Sequence, residues 1–257
     1  MTLPSVFLSL FRNKNQLYFL IGLISLVTIS IILVSVLTIY ISESELRAWQ
    51  KPLNSFTIAE PRVNSINHKT LNELNSLKVI DNYMKFMDSI ISVPGILNTE
   101  YRPVIAIDIK NMDKFLEYNN FKLVEGELPQ SNTREIVISK NISDSKKLFV
   151  DDYVGNSINK NEFLWGRFKV SGIYEGEFDI GLASLKYFQR RMGDGFSLLF
   201  FPIDNLEKMN SKLISSNFNS SQFETNKSLI KNNSEKNKSL LDLIYIIISI
   251  LTISLTI

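Results

Sequence analysis

The sequence predicts a membrane-anchored α+β protein. Three observations lead there: a 25-residue run without a charge, Leu17–Ile41; a second apolar run, Leu240–Ile257; and, between them, short alternating strands interleaved with helix-length segments. The expected order is an N-terminal transmembrane helix, a mixed extracytoplasmic domain with an inserted mostly-β subdomain, and the start of a second transmembrane helix.

Residues 1–16 come first. Leu3, Val6, Phe7, Leu10 and Phe11 recur at i, i+3, i+4, i+7 and i+8, with Ser5, Ser9, Arg12 and Asn13 mainly on the other side. This is the stripe of an amphipathic helix lying on the cytoplasmic membrane face. The run 17–41 comes next. At about 1.5 Å per residue it forms a helix of roughly 37 Å, which crosses a hydrocarbon core of about 30 Å with some tilt. Tyr18 and Tyr40 fall near its ends, where amphipathic rings favour the headgroups. It exceeds the roughly 7–15 residues of a signal-peptide core, and no small-x-small cleavage site comes after it. Arg12 and Lys14 precede the run without an acid, and Glu43 and Glu45 come after it. The positive-inside rule places the N-terminus in the cytoplasm and the domain outside.

Residues 42–239 are expected to form the outer domain with its stalks. Ser42–Gln50 contains good helix formers and continues the first helix outward, with Trp49 packing on the domain. Ser55–Ile58 reads as a strand ended by Pro61. Thr70 and Glu73, just after His68, have capping-box spacing. Val79–Val93 fits neither the helical nor the strand period, and Pro94-Gly95 is a turn. Val104–Ile109 is a strand and Met112–Tyr118 a helix. From about 121 to 175 the strands are short and the turns polar: Phe121–Glu125, Glu135–Ser139 and Gly166–Tyr174, with Lys140–Phe149 helical and Val150–Gly155 a turn. Phe196–Phe201 is a buried strand, and a helix opens after Pro202 and runs toward Ile214. Residues 215–239, rich in Ser, Asn and Lys, are a linker or a polar stalk helix. Asn219, Asn226, Asn232 and Asn237 each begin an N-x-S triplet, which a composition this rich in Asn and Ser produces by chance. Leu240–Ile257 carries only Asp242 as a charge, and the chain stops within it, as the opening of a second membrane helix would; the alternative is a C-terminal tail anchor. Asp242 belongs at the interface or toward other helices, because a carboxylate facing lipid is costly.

The totals exclude several classes. With 28 basic and 26 acidic residues there is no field for nucleic acid, and no basic stripe with interleaved aromatics occurs. The chain has no cysteine, so disulfides and thiol chemistry play no part.

Within the outer region lies LVEGELPQSNTREIVISKNISDSKKLFVDDYV, and further on FKVSGIYEG. These residues resemble the extracytoplasmic core of bacterial ABC transporter permeases of the MacB/FtsX-like superfamily. The matching pieces are the Leu-x-Glu-Gly-x-x-Pro turn (Leu123 to Pro129), the acidic residue and strand Glu135–Ser139, a short helix, and Val170-Ser171-Gly172-Ile173. The chain departs where the family has a Gly-Asp turn, since it reads Asp151-Asp152. The resemblance implies a multi-pass subunit of the bacterial plasma membrane whose helices relay motion to the outer domain. It also implies a cytoplasmic ABC ATPase subunit as partner, and a second permease copy or the remaining permease half. The chain would then be the N-terminal part of a permease, with the C-terminal helices missing. ATP would be bound by the ATPase subunit, and this chain would hold no cofactor.

No catalytic, cofactor-binding or metal-ligating residue is expected. GxxxxGK[ST] is absent, so the chain is no ATPase itself. His68 has no His or Cys near it for a metal. Asp151 and Asp152 lack calcium-loop spacing. Ser139 and Ser171 lack the GxSxG context of a serine hydrolase. The remaining alternative is a signal-anchored extracytoplasmic binding or sensor domain without transport activity.

Overall fold

The computed structural model describes residues 14–59, 76, 78–95, 99–193, 195–215 and 223–256. Residues 1–13, His68, the Thr70/Glu73 pair and Pro61 lie outside the described residues. The chain divides into two compact units, Met1–Glu43 with Lys231–Ile257, and Ser44–Ile230.

The first unit contains most of two long helices, α1 (Lys14–Gln50) and α6 (Asn226–Thr256). The expected outward stalk of α1 is continuous helix to Gln50, and the polar stretch from 226 onward is helix rather than linker. Among the described residues no helix is long and apolar enough to cross a membrane. Leu26, Ile29, Ile32, Leu33 and Val36 are exposed, whereas Ile31, Ser35 and Ile39, spaced four apart, are half-covered. Ser30 and Ser35 donate their hydroxyls to the carbonyls of Leu26 and Ile31, at 2.8 and 2.6 Å, so neither presents a free polar group.

In the second unit one mixed sheet carries all the described strands, in the order β10-β1-β9-β2-β3-β8-β5-β7-β4, with β6 beside β7. In chain order these are β1 (Thr57–Ala59), β2 (Ile80–Pro94), β3 (Thr99–Ile107), β4 (Lys122–Gly126), β5 (Glu135–Ser139), β6 (Tyr153–Val154), β7 (Phe168–Glu175), β8 (Gly181–Ser184), β9 (Ser197–Pro202) and β10 (Phe223–Glu224). The pairs β3/β8 and β5/β7 are parallel and the others antiparallel. Helices α2 (Met112–Tyr118), α3 (Lys140–Lys146), α4 (Leu185–Met192) and α5 (Leu206–Ser215) connect them.

Alternation explains the layering. In β3, Ile105 and Ile107 join one core while Val104 and Ala106 join another, and successive side chains of a strand point to opposite faces. Leu182 and Ala183 of β8 divide the same way, as do Val137 and Ile138 of β5. One face packs under Met112, Phe115 and Leu116 of α2. The other packs under Ile142 of α3 and Phe188 of α4, and further along under Met209 and Leu213 of α5. Apart from the largely exposed edge strand β4, the sheet is therefore buried on both sides.

Three stretches differ from the sequence reading. Val79–Val93, which fits neither period, is the long strand β2. Its first half buries Met84 and Phe86 on one face, and its second half buries Ile91 and Val93 on the other. Past an irregularity between Ile80 and Asn82 the period of two holds, but the buried parity switches midway. The strand β8 and helix α4 are absent from the sequence reading, because a four-residue strand buried on both faces leaves no alternation to read. The stretch 121–175 is not set apart as a subdomain. Its strands lie in the common sheet, joined through the β5/β8 ladder, and its buried residues share a core with Ile91 and Val104.

The Asp151-Asp152 turn has a specific geometry. Asp151 adopts φ +76°, the left-handed region that glycine enters freely. Its carboxylate is 2.7 Å from Lys169 Nζ, and Asp152 accepts the Phe149 N–H at 2.8 Å. The backbone thus keeps a glycine-type conformation although the residue is aspartate. Replacing Asp151 by glycine relieves about 1 kcal/mol of backbone cost. It forfeits an exposed ion pair worth about 0–1 kcal/mol. The D151G variant is expected to be neutral to slightly stabilised in urea denaturation; a loss of more than about 1 kcal/mol would contradict this account.

Candidate functional site: a two-helix anchor and a paired-glycine corner

The C-terminal end of α1 is built into the sheet domain. Ala48 is buried, and Trp49 packs against the core that contains Leu53 and Phe56. Pro52 opens a 3-10 turn, Pro52–Asn54, that redirects the chain into β1 and buries Leu53. The Phe56 ring meets Phe115, Phe178 and Phe201 at centroid separations of 6.0, 6.4 and 5.8 Å.

The start of α6 enters the same core. Leu229 is buried with Leu53 and Phe56. Thr225 and Ser228 form a reciprocal cap: the Ser228 N–H donates to Thr225 Oγ1 at 3.1 Å, and the Thr225 N–H donates to Ser228 Oγ at 2.7 Å. Two otherwise orphaned donors are satisfied and the first turn is fixed. Asn226 Nδ2 donates to Asn54 Oδ1. β1 and β10 pair antiparallel, Ile58 with Glu224 and Ala59 with Phe223. The segments entering and leaving the domain are thereby bonded to each other and to one hydrophobic cluster. Trp49 is where the sequence places it, on the domain. Leu229 and the Thr225 cap escape sequence reasoning, since the polar composition around them masks one apolar anchor.

A second feature joins the Leu-x-Glu-Gly and Val-x-Gly-Ile motifs. Gly126 of the first lies directly opposite Gly172 of the second, in the β4/β7 ladder. Gly126 has φ +74°, and a Cβ there would fall 2.2 Å from the Ser171 carbonyl oxygen. A Cβ on Gly172 would lie 2.7 Å from the Glu127 oxygen and 3.0 Å from that of Glu125. Close backbone approach demands glycine at both positions.

Beside this corner is an open cleft of about 260 Å³ whose polar lining includes Glu127, Glu135, Asp151, Lys169 and Ser171. Hydrogen bonding to Asp151 pushes the Lys169 amine above its usual range. Glu135 accepts from the Gln130 N–H at 2.8 Å and Thr133 Oγ1 at 2.9 Å. The cleft contains no nucleophile with an adjacent base. Ser171 Oγ faces the Ile136 carbonyl, Ser139 Oγ caps α3 and bonds Asp179, and Asp242 is exposed on α6. Among the described residues no group of three or more His, Cys, Asp or Glu is placed to hold a metal ion.

Tyr174 braces the corner from within. Its hydroxyl accepts the Ile180 N–H at 2.9 Å and faces the carbonyls of Phe178 and Ile180 at 3.0 and 3.1 Å. Burial pushes it well above its ordinary value near 10. An acid raised in this way contributes stability below about pH 10 that is lost as pH rises further. Y174F, which strands the Ile180 N–H, is expected to lose about 1–3 kcal/mol at pH 7. It should also show a shallower decline in Tm above about pH 10 than the parent; parallel alkaline profiles would refute this role for the hydroxyl.

No protein-family model matches the chain, and no curated protein matches it. Among solved structures it is similar to the periplasmic region of MacB from Actinobacillus actinomycetemcomitans, at 14% identity and a TM-score of 0.41, over 70% of this chain and 92% of that one. It is also similar to the extracellular domain of the noncanonic ABC-type transporter YknZ from Gram-positive bacteria, at 10% identity and a TM-score of 0.39, over 61% and 87% of the two chains. Likenesses at these scores decide nothing about activity, and the functional reading rests on the chain's own residues.

Proposed function

We propose that the chain is the N-terminal part of an ABC transporter permease subunit, coupling cytoplasmic ATP hydrolysis to movement of an extracytoplasmic domain for export, extraction or mechanotransmission. One observation carries the reading: Trp49, at the end of one long helix, Leu53, in the turn that comes after it, and Leu229, at the start of the other helix, share a single core. Displacing either helix would strain packed side chains rather than a slack linker, and close-packed interiors transmit strain. The motifs around Gly126 and Gly172 support the same assignment.

In this proposal Leu17–Ile41 and the run from Leu240 cross the bacterial plasma membrane, with the N-terminus in the cytoplasm. The uncharged run and the exposed Leu26, Ile29 and Ile32 suit a lipid environment. The partners are a cytoplasmic ABC ATPase subunit, which binds the ATP, and a second permease copy or the other permease half.

Two experiments test this. The full chain extracted in mild detergent should bring an ABC ATPase with it; if none accompanies it, the anchored binding or sensor domain becomes the better reading. A cysteine at Ser157, exposed in a loop and unopposed by any native thiol, should react with an impermeant maleimide in intact cells. Labelling only after permeabilisation would reverse the orientation. Ser157 is preferable to Asn156, whose Oδ1 accepts the Gly166 N–H at 2.8 Å.

A further inference from the structure

The loop between β6 and β7 holds three of its large apolar side chains, Ile158, Phe163 and Trp165, outward. From Glu162 to Trp165 burial alternates: Glu162 and Leu164 point in, whereas Phe163 and Trp165 are 59% and 65% exposed. Ile158, on the same loop, is 54% exposed. Isolated exposed apolar residues need no explanation, but three large ones on one short loop mark an interaction surface.

The loop is braced. The Asn156 N–H donates to the Leu164 carbonyl at 2.8 Å and the Ser157 N–H to that of Gly166 at 3.1 Å. Glu162 accepts from the Ser92 N–H, Ser92 Oγ and Lys146 Nζ at 2.6, 2.8 and 2.8 Å. The Phe163 ring meets Tyr101 edge-on at 5.1 Å. A surface held this firmly in place gives up little entropy on binding.

Its charge has one sign. Between Gly155 and Arg167 the only acid is Glu162, which is turned inward and neutralised by Lys146. What faces solvent is Lys160 and Arg167, the latter stacked 3.8 Å from the Tyr153 ring centroid. Trp, Phe, Tyr and Arg together are the composition of protein-binding hot spots. Attraction to anionic lipid relies instead on clusters of roughly four to eight Lys or Arg. We infer that this loop docks an acidic segment of another protein, one that presents an apolar anchor to Trp165 and Phe163 and carboxylates to Lys160 and Arg167. The inference stands on the sheet domain alone and does not depend on the permease reading.

The test places the photo-crosslinker p-benzoylphenylalanine at Phe163 or Trp165 of the full chain in its native cells. Ile203, 51% exposed on a different loop, serves as the control position. The expected result is a protein adduct at both loop positions and not at Ile203, mapping to an acidic segment of the partner. The adduct should fall at least tenfold in K160E/R167E, a variant whose thermal unfolding matches the parent. Adducts to phospholipid, adducts to a second copy of this chain, yields equal to Ile203, or insensitivity to the charge reversal would each overturn the proposal.

Discussion

Truncating Glu162 to alanine should lower the stability of the sheet domain by about 3–5 kcal/mol, the usual cost of removing one partner from a buried ion pair. The side chains of Glu162 and Lys146 are 1% and 14% exposed, and their charged atoms are 2.8 Å apart. Lys146 also donates to the Ser92 carbonyl at 2.7 Å, so Ser92 is held from both sides. Without the carboxylate, a partly buried ammonium loses its counter-charge and the Ser92 N–H and hydroxyl lose their acceptor. At about 2–4 °C per kcal/mol for a domain of this size, Tm should drop by roughly 10 °C. The double variant E162L/K146M removes both charges and is expected to recover the part of the loss due to the unpaired ammonium, whereas the Ser92 N–H and hydroxyl stay without their acceptor. If E162A and the double variant are equally destabilised, the damage lies in the Ser92 donors or the loop packing and the ion-pair account fails.

The second large effect lies at the glycine corner. G126A combines a left-handed backbone, costing about 1–2 kcal/mol for an L-residue, with an overlap at 2.2 Å that only backbone movement can relieve. Overpacking adds about 1–3 kcal/mol, giving an expected loss of about 2–5 kcal/mol. G172A lacks the φ penalty and should cost less. Both should release β4, an edge strand bonded only to β7, so amide exchange at residues 122–126 should accelerate more than at Ile105 or Ile107 in the central β3. Uniform acceleration across the sheet would show that the corner is no local lock.

An element of this chain is legible in the sequence when its structural cause lies within a few neighbouring residues. Glu135–Ser139 and Met112–Tyr118 have the bounds the sequence predicts, because flanking turn signals and local periodicity suffice there. β2 resists because its buried face changes at mid-strand, a consequence of which helices lie above and below it. β8 resists because Gly181-Leu182-Ala183-Ser184 is short and covered on both sides, yet it is the strand that joins the two halves of the sheet. Gly126 and Gly172 are each visible as turn or strand-end signals, but their direct opposition arises only from the β4/β7 register. Lys146, Ser92 and Glu162 give no local signal at all, being assembled from a helix, a strand and a loop. Asp151 stands out in the sequence as a departure from a glycine-bearing turn. The departure is chemical rather than conformational, since its φ remains in glycine's range.

The pairing of β1 with β10 has a consequence beyond anchoring. A domain whose incoming and outgoing segments leave through adjacent strands, with Asn54 bonded to Asn226, behaves as a cassette. It can be lifted from between its two helices and set into a tight loop of an unrelated host without pulling that host's ends apart, as domains with neighbouring termini generally tolerate. By the same geometry, such a module could be exchanged between proteins in one step, carrying its outward-facing loop with it.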